Sequence, residues 1–107
     1  MFARQVTMQL KPKGQANFTK TIESEIIPLL RQQRGFKDEI TFVIPGETKA
    51  VAISLWDQKE NAEAYDRATY PKVLKALTAV VEGAPRVESY EVTNSTFHKL
   101  AAGALPV

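Results

Sequence analysis

Residues 50–57 read Ala50-Val51-Ala52-Ile53-Ser54-Leu55-Trp56-Asp57. Val51, Ile53 and Leu55 share one parity, and Ala50, Ala52 and Trp56 share the other, so a strand here is apolar on both faces. Residues 40–44 behave alike, with Thr41 and Val43 opposed to Ile40, Phe42 and Ile44. Pro45-Gly46-Glu47-Thr48-Lys49 joins the two stretches as a loop of hairpin length, which pairs them antiparallel. An antiparallel strand that is apolar on both sides needs cover on both sides. This requirement decides the architecture.

Outward from the hairpin, the period changes on each side. Residues 2–10 alternate, with Phe2, Val6, Met8 and Leu10 on one face and Arg4 interrupting that apolar parity. Lys11-Pro12-Lys13-Gly14 ends this strand. From Gln15 the spacing is helical, and Phe18, Ile22, Ile26, Leu29 and Leu30 form one stripe. Pro28 lacks an amide hydrogen and its ring clashes with the carbonyl of Ser24, so this helix is expected to bend near Ser24. Gly35 is its expected left-handed cap, followed by the apolar Phe36.

Beyond Trp56, the reading makes Asp57 an N-cap with Glu60 completing a capping box. The helix through Ala62 and Tyr65 breaks near Thr69-Tyr70-Pro71, and a second piece carries Val73, Leu74, Leu77, Val80 and Val81 to Gly83-Ala84-Pro85. Residues 86–93 form the fourth strand. The segment 96–100 is expected to extend the sheet edge or to lie across a neighbour. Residues 1–100 are read as one domain, and 101–107 as a mobile tail.

The order is therefore β-α-β-β-α-β, an α+β chain of ferredoxin-like type with a four-stranded antiparallel sheet and both helical segments on one face. The chain has no third helix to place over the other face. A second copy of the same sheet is the simplest cover, which gives a homodimer joined through the sheet faces. Val43, Ala52 or Val51, and Tyr90 or Val87 are the expected interface residues, parity leaving each choice open.

Composition narrows the function. The 107 residues are 44% hydrophobic and 24% charged, ordinary values for one soluble globule. Fourteen Lys and Arg against 12 Asp and Glu leave a net charge of +2, too small to indicate nucleic acid or an anionic membrane. The absence of Cys removes thiolate metal sites, Fe–S ligation and a cysteine nucleophile. The single His excludes a metal centre of two or three histidines within one chain. The start of the chain has no export pattern, and no apolar run reaches about 18 residues, so a cytoplasmic location without membrane insertion is expected.

The chain resembles the antibiotic biosynthesis monooxygenase domain family, a branch of the dimeric α+β barrels. The resemblance rests on Ile26-Ile27-Pro28-Leu29-Leu30 before Gly35-Phe36, on Ala52-Ile53-Ser54-Leu55-Trp56-Asp57 leading into Ala62 and Tyr65, and on Val87-Glu88-Ser89-Tyr90-Glu91-Val92. It covers residues 2–95. It implies a homodimer in which two sheets face each other as an α+β barrel, with a cleft between sheet and helices. It also implies oxygenation of an aromatic or quinone-like substrate without metal or flavin, the substrate anion itself reacting with oxygen. The haem-degrading branch is implied least. Its pattern of a first-strand Asn, a helical Trp and a His ten residues later meets Thr7 or Gln9, Tyr65 and Lys75 here. No cofactor is expected.

Trp56, Tyr65, Tyr70 and Phe42 are the candidate substrate-binding residues, as aromatic side chains near the cleft mouth and the helix break. His98 and Arg4 are the weaker catalytic candidates, His98 because its ordinary pKa lies near neutrality and Arg4 as the stabiliser of an enolate or phenolate. The competing expectation for Arg4 is an ion pair with Glu88 or Glu91. Two function classes remain from the residues: a cofactor-independent oxygenase, or a non-catalytic ligand-binding or structural dimer whose interior is filled by Phe42, Phe18 and Leu77. An open apolar cavity of roughly 300 Å³ or more with convergent polar groups would favour the oxygenase.

Overall fold

A computed structural model describes residues 1–100 of the chain. The tail expected over 101–107 lies outside the described residues. Four strands, β1 (Phe2–Leu10), β2 (Phe36–Val43), β3 (Lys49–Trp56) and β4 (Val81–Glu91), form one antiparallel sheet in the order β2-β3-β1-β4. The ferredoxin-like arrangement is the one expected.

The first helical segment consists of α1 (Gln15–Thr21), a π-helical turn (Ile22–Ile26) and α2 (Ile27–Arg31). The bend expected near Ser24 takes the form of this wide turn, in which the Ile27 amide donates to the Ile22 carbonyl. Pro28 removes a donor from the same stretch, and the Ser24 hydroxyl donates back to the Lys20 carbonyl at 2.7 Å. Phe18, Ile22, Ile26 and Leu30 are nevertheless buried as one stripe, because the π turn preserves their common side. Gly35 adopts φ 80°. A Cβ there would come 2.1 Å from an Asp57 carboxylate oxygen, so both the left-handed backbone and the close approach require glycine.

The second segment is α3 (Lys59–Ala68) and α4 (Tyr70–Leu77), broken at Thr69 as expected, with Pro71 in the first turn of α4. Several boundaries differ from expectation: β2 begins at Phe36 rather than Ile40, β4 spans Val81–Glu91 rather than 86–93, and both ends of the second helical segment shift. Gln58, not Asp57, precedes the first turn of α3 as its cap, and its side chain makes no capping hydrogen bond. Asp57 is otherwise engaged: its amide donates to the Gly35 carbonyl at 2.8 Å, and its carboxylate accepts from Asn61 at 2.8 Å. The second helix also ends at Leu77 rather than at Gly83, and Val81 already belongs to β4. Gly83 has φ 69°, and the β1–β4 register shifts between Thr7 and Gln9. Gly83-Ala84-Pro85 thus lies within an irregular edge strand, where a Pro without a donor is tolerated.

The register separates the two faces of the sheet. Beneath the helices lie Val6, Met8, Leu10, Ala50 and Trp56, all buried. On the other face lie Ile40, Phe42, Val51, Ile53 and Leu55, with no helix of the described residues over them. This resolves the interface alternatives by parity. Val51 and Tyr90 are on the uncovered face, whereas Val43, Ala52 and Val87 point to the helix side.

Beyond β4, the Val92 amide continues the ladder to the Met1 carbonyl at 2.9 Å. The chain then passes from that edge of the sheet to the opposite edge, where His98 pairs with Asp38 of β2. Residues 96–100 therefore do not extend the β4 edge; of the two expectations, the segment follows the second and lies against another strand, β2. Leu100 is buried at the end of this return.

Candidate functional site

One rung of the sheet departs from the apolar rule of the covered face. Glu39 pairs with Ser54, Ser54 with Arg4, and Arg4 with Ser89, so four polar side chains cross β2, β3, β1 and β4 in a single row. The row on one side is Phe36, Trp56 and Phe2, closed by Glu91, and the row on the other is Thr41, Ala52, Val6 and Val87. Side chains directly opposite across antiparallel strands stand about 5 Å apart at Cβ. A base, a hydroxyl and a cation are therefore spaced at strand intervals beneath the helices.

Arg4 is only 4% exposed. Its guanidinium donates to the Asp66 carboxylate of α3 at 2.6 Å, and its Cζ lies 4.0 Å from the ring centre of Tyr70 and 5.3 Å from that of Tyr65. A desolvated guanidinium over aromatic faces is attracted by their quadrupoles. The expected partners Glu88 and Glu91 are not used. Glu88 points to the uncovered face and pairs with Arg86 at 2.8 Å, while Glu91 is one rung away from Arg4 on β4. Arg4 interrupts its strand because it enters the cleft.

Tyr65 and Tyr70 are both buried, with ring centres 6.1 Å apart. Burial holds both phenols above their ordinary pKa of 10.0, and the Arg4 charge opposes the shift in each case. The Tyr70 hydroxyl is fully enclosed and makes no hydrogen bond of ordinary geometry among the described residues, although the Arg4 guanidinium over its ring is close enough to hold the phenol pKa down against burial. A buried hydroxyl left unpaired is costly and marks a place where a water or ligand atom would be held.

Arg4, Glu39, Ser54, Tyr65 and Tyr70 line one cavity, whose remaining wall is apolar and includes Ile22, Ile26 and Leu30 from the bent helix. The cavity is about 40 Å³, room for a few water molecules and not for an aromatic ring. A wider groove of about 610 Å³ runs between the bent helix and β2, lined by Thr19, Ile22, Glu23, Ile27, Arg31, Glu39, Thr41 and Val43. Ile22 and Glu39 belong to both spaces and form the partition between them.

The other candidates fall elsewhere. Trp56 is 0% exposed and stands behind the cavity wall. Its ring lies 5.0 Å from Tyr65 and 5.6 Å from Phe36, and its indole N–H donates to the Ser54 hydroxyl at 2.9 Å. It supports Tyr65 and Ser54 rather than lining the space. Phe42 is 51% exposed on the uncovered face, so it neither joins the other aromatic candidates nor fills the interior with Phe18 and Leu77. The reason is one of parity: Thr41 and Val43, not Phe42, share the helix side of β2. His98 is outside the cavity, turned to Asp38. Glu39, Ser54 and Asp66 were not singled out from the sequence. For Glu39 and Ser54 the signal was available, because each is polar at a position whose parity faces the helices.

Among the described residues, no group of three or more His, Cys, Asp or Glu side chains is placed to hold a metal ion. No helix among them is long and apolar enough to cross a membrane.

The sequence matches no family model and no curated protein. Solved structures do match. A monooxygenase from the gene ActVA-Orf6 of Streptomyces coelicolor, in complex with nanaomycin D, superposes with TM-score 0.75 at 16% identity, over 92% of each chain. The fold is that of the antibiotic biosynthesis monooxygenases. A further antibiotic biosynthesis monooxygenase matches at TM-score 0.68 and 14% identity, over 88% of this chain and 100% of the other. A protein of unknown function from Nitrosomonas europaea matches at TM-score 0.74 and 20% identity, over 95% of each chain. At these identities the likeness is one of fold. Activity has to be argued from this chain's own residues.

Proposed function

We propose that the chain is a cytoplasmic homodimer that binds a small aromatic or quinone-like molecule beneath its helices and oxygenates it without a cofactor. The observation that carries this reading is the polar row under Tyr65 and Tyr70, with a buried guanidinium and an unpaired phenol hydroxyl in an otherwise apolar cavity. Such groups suit a flat ring that bears an oxygen and becomes anionic during reaction. In balanced form, an anthrone-type ring methylene loses a proton, its carbanion reacts with O₂ to form a C–O bond, and the protonated hydroperoxide loses water to leave a ketone. Arg4 stabilises the anion, Tyr70 donates to its oxygen, and the helix cover excludes bulk water. The complex of the Streptomyces coelicolor monooxygenase with nanaomycin D supports a ligand of this kind.

The volume of about 40 Å³ supports a second reading, a non-catalytic dimer with a closed interior. For the oxygenase, the ring occupies the groove beside β2 and only its polar end enters the cavity. A thermal-shift titration with anthrone, naphthoquinones and flavin separates the two. Saturation at a hundred times Kd stabilises a protein by about 2.7 kcal/mol, so a ring ligand raises the melting temperature measurably and Arg4→Met abolishes the rise. No shift with any ring ligand at millimolar concentration would leave the closed dimer as the reading.

A further inference from the structure

We infer that Glu39 is the proton acceptor of this site, taking the proton from the ring carbon that is to be oxygenated. The inference rests on the oxygenase reading above and deepens it. Glu39 occupies the β2 end of the polar row, two strands from Arg4, or about 10 Å between their backbones. With the ring in the outer groove and its carbonyl end entering the cavity, the Glu39 carboxylate stands beside the ring and the Arg4 guanidinium lies beyond Ser54 on the carbonyl side. Glu39 lines both the inner cavity and the outer groove, so it meets whatever passes between them.

Its chemical state fits the role. The ion pairs among the described residues are Arg4–Asp66, Arg86–Glu88 and His98–Asp38, and none of them uses Glu39. Its one side-chain hydrogen bond is accepted from the Thr41 hydroxyl. Burial raises its pKa above the ordinary 4.5, and the Thr41 bond opposes the shift. An acid with a raised pKa and no cationic partner, set in a cleft, is the profile of a general base. The charged and titratable groups that share these two spaces with it are Arg4 from β1, Tyr65 from α3, Tyr70 from α4, Glu23 from the π turn and Arg31 from α2, with Asp66 of α3 behind Arg4.

The step balances. The Glu39 carboxylate forms an O–H bond as the ring C–H bond breaks. The electron pair stays on the substrate, delocalised onto its carbonyl oxygen on the Arg4 side. His98, held against Asp38, takes no part.

The probe is anthrone, and the measurement is exchange of its methylene protons for deuterium without oxygen, which reads deprotonation apart from oxygenation. The wild type is expected to accelerate exchange, with a rate that falls as pH drops through the Glu39 ionisation, because only the carboxylate accepts a proton. Glu39→Gln is expected to slow exchange by about 10²–10⁴-fold, to leave anthrone affinity within a factor of a few, and to remove the acid limb of the pH profile. Glu39→Asp restores part of the rate. Equal exchange and an unchanged pH profile in Glu39→Gln would overturn the assignment while leaving the oxygenase reading in place. A wild type that neither binds anthrone nor exchanges it would overturn both.

Discussion

The two faces of this sheet reverse the usual distribution of polarity. The covered face carries a polar row of buried Arg4 and Ser54 with half-buried Glu39, whereas the uncovered face presents Ile40, Phe42, Val51, Ile53 and Leu55. A single chain optimised only for stability would place its charges outward and its large apolar side chains under the helices. Each anomaly therefore has its own explanation. Buried polar groups with one hydroxyl unpaired point to chemistry, and a bare apolar sheet points to a partner surface.

The comparison is broken most severely at Trp56, which packs the covered face at one end of the polar row. Trp56→Ala is expected to cost about 3–5 kcal/mol in urea unfolding, through loss of its contacts with Phe36 and Tyr65. A cost below about 1 kcal/mol would show that the aromatic row does not support the site.

A smaller and asymmetric effect is expected at the Arg4–Asp66 pair. Arg4 is buried, whereas the Asp66 side chain is 53% exposed. Asp66→Ala leaves a buried guanidinium unpaired and is expected to cost about 1–3 kcal/mol. Arg4→Met leaves a carboxylate that water can solvate, and it is expected to cost less, about 1 kcal/mol or under. The reverse order in denaturation would mean that Arg4 is not held by Asp66.

The smallest effect is expected outside both faces' central rows. His98→Ala removes a partly exposed ion pair with Asp38, worth about 0–1 kcal/mol, and is expected to leave ring binding and anthrone exchange unchanged. An activity collapse of about 10²-fold or more in a folded His98 variant would move the proton-transfer role from Glu39 to His98.

Much of this was legible in the residues. The period-2 runs placed all four strands, and Pro28 and Pro71 located both helix breaks, because backbone chemistry is local. Asp57 misled for the opposite reason: its backbone and carboxylate are claimed by Gly35 and Asn61, contacts that depend on the helix entering beside β2. At Val80 and Val81, apolar spacing alone did not separate the end of a helix from the start of a strand. The site was half legible. Arg4 stood out as a charge at core parity, but its partner did not, since Asp66 comes from a helix 62 positions away in sequence. Glu39 and Ser54 carried the same parity signal as Arg4. It became visible only when the register set them in one row.

The three tyrosines report on both faces at once: Tyr65 and Tyr70 lie under the helices and Tyr90 on the uncovered face. Nitration by tetranitromethane, followed by mass spectrometry at each tyrosine, tests the division of labour directly. In the wild type at micromolar concentration, all three are expected to resist. In Phe42→Asp, which should lower the sedimenting mass from twice 11.9 kDa to 11.9 kDa, Tyr90 alone is expected to react. If Tyr90 is nitrated equally fast in both proteins, the uncovered face has no partner. If Tyr70 reacts as fast as Tyr90, the cleft beneath the helices is not the closed polar site described for it.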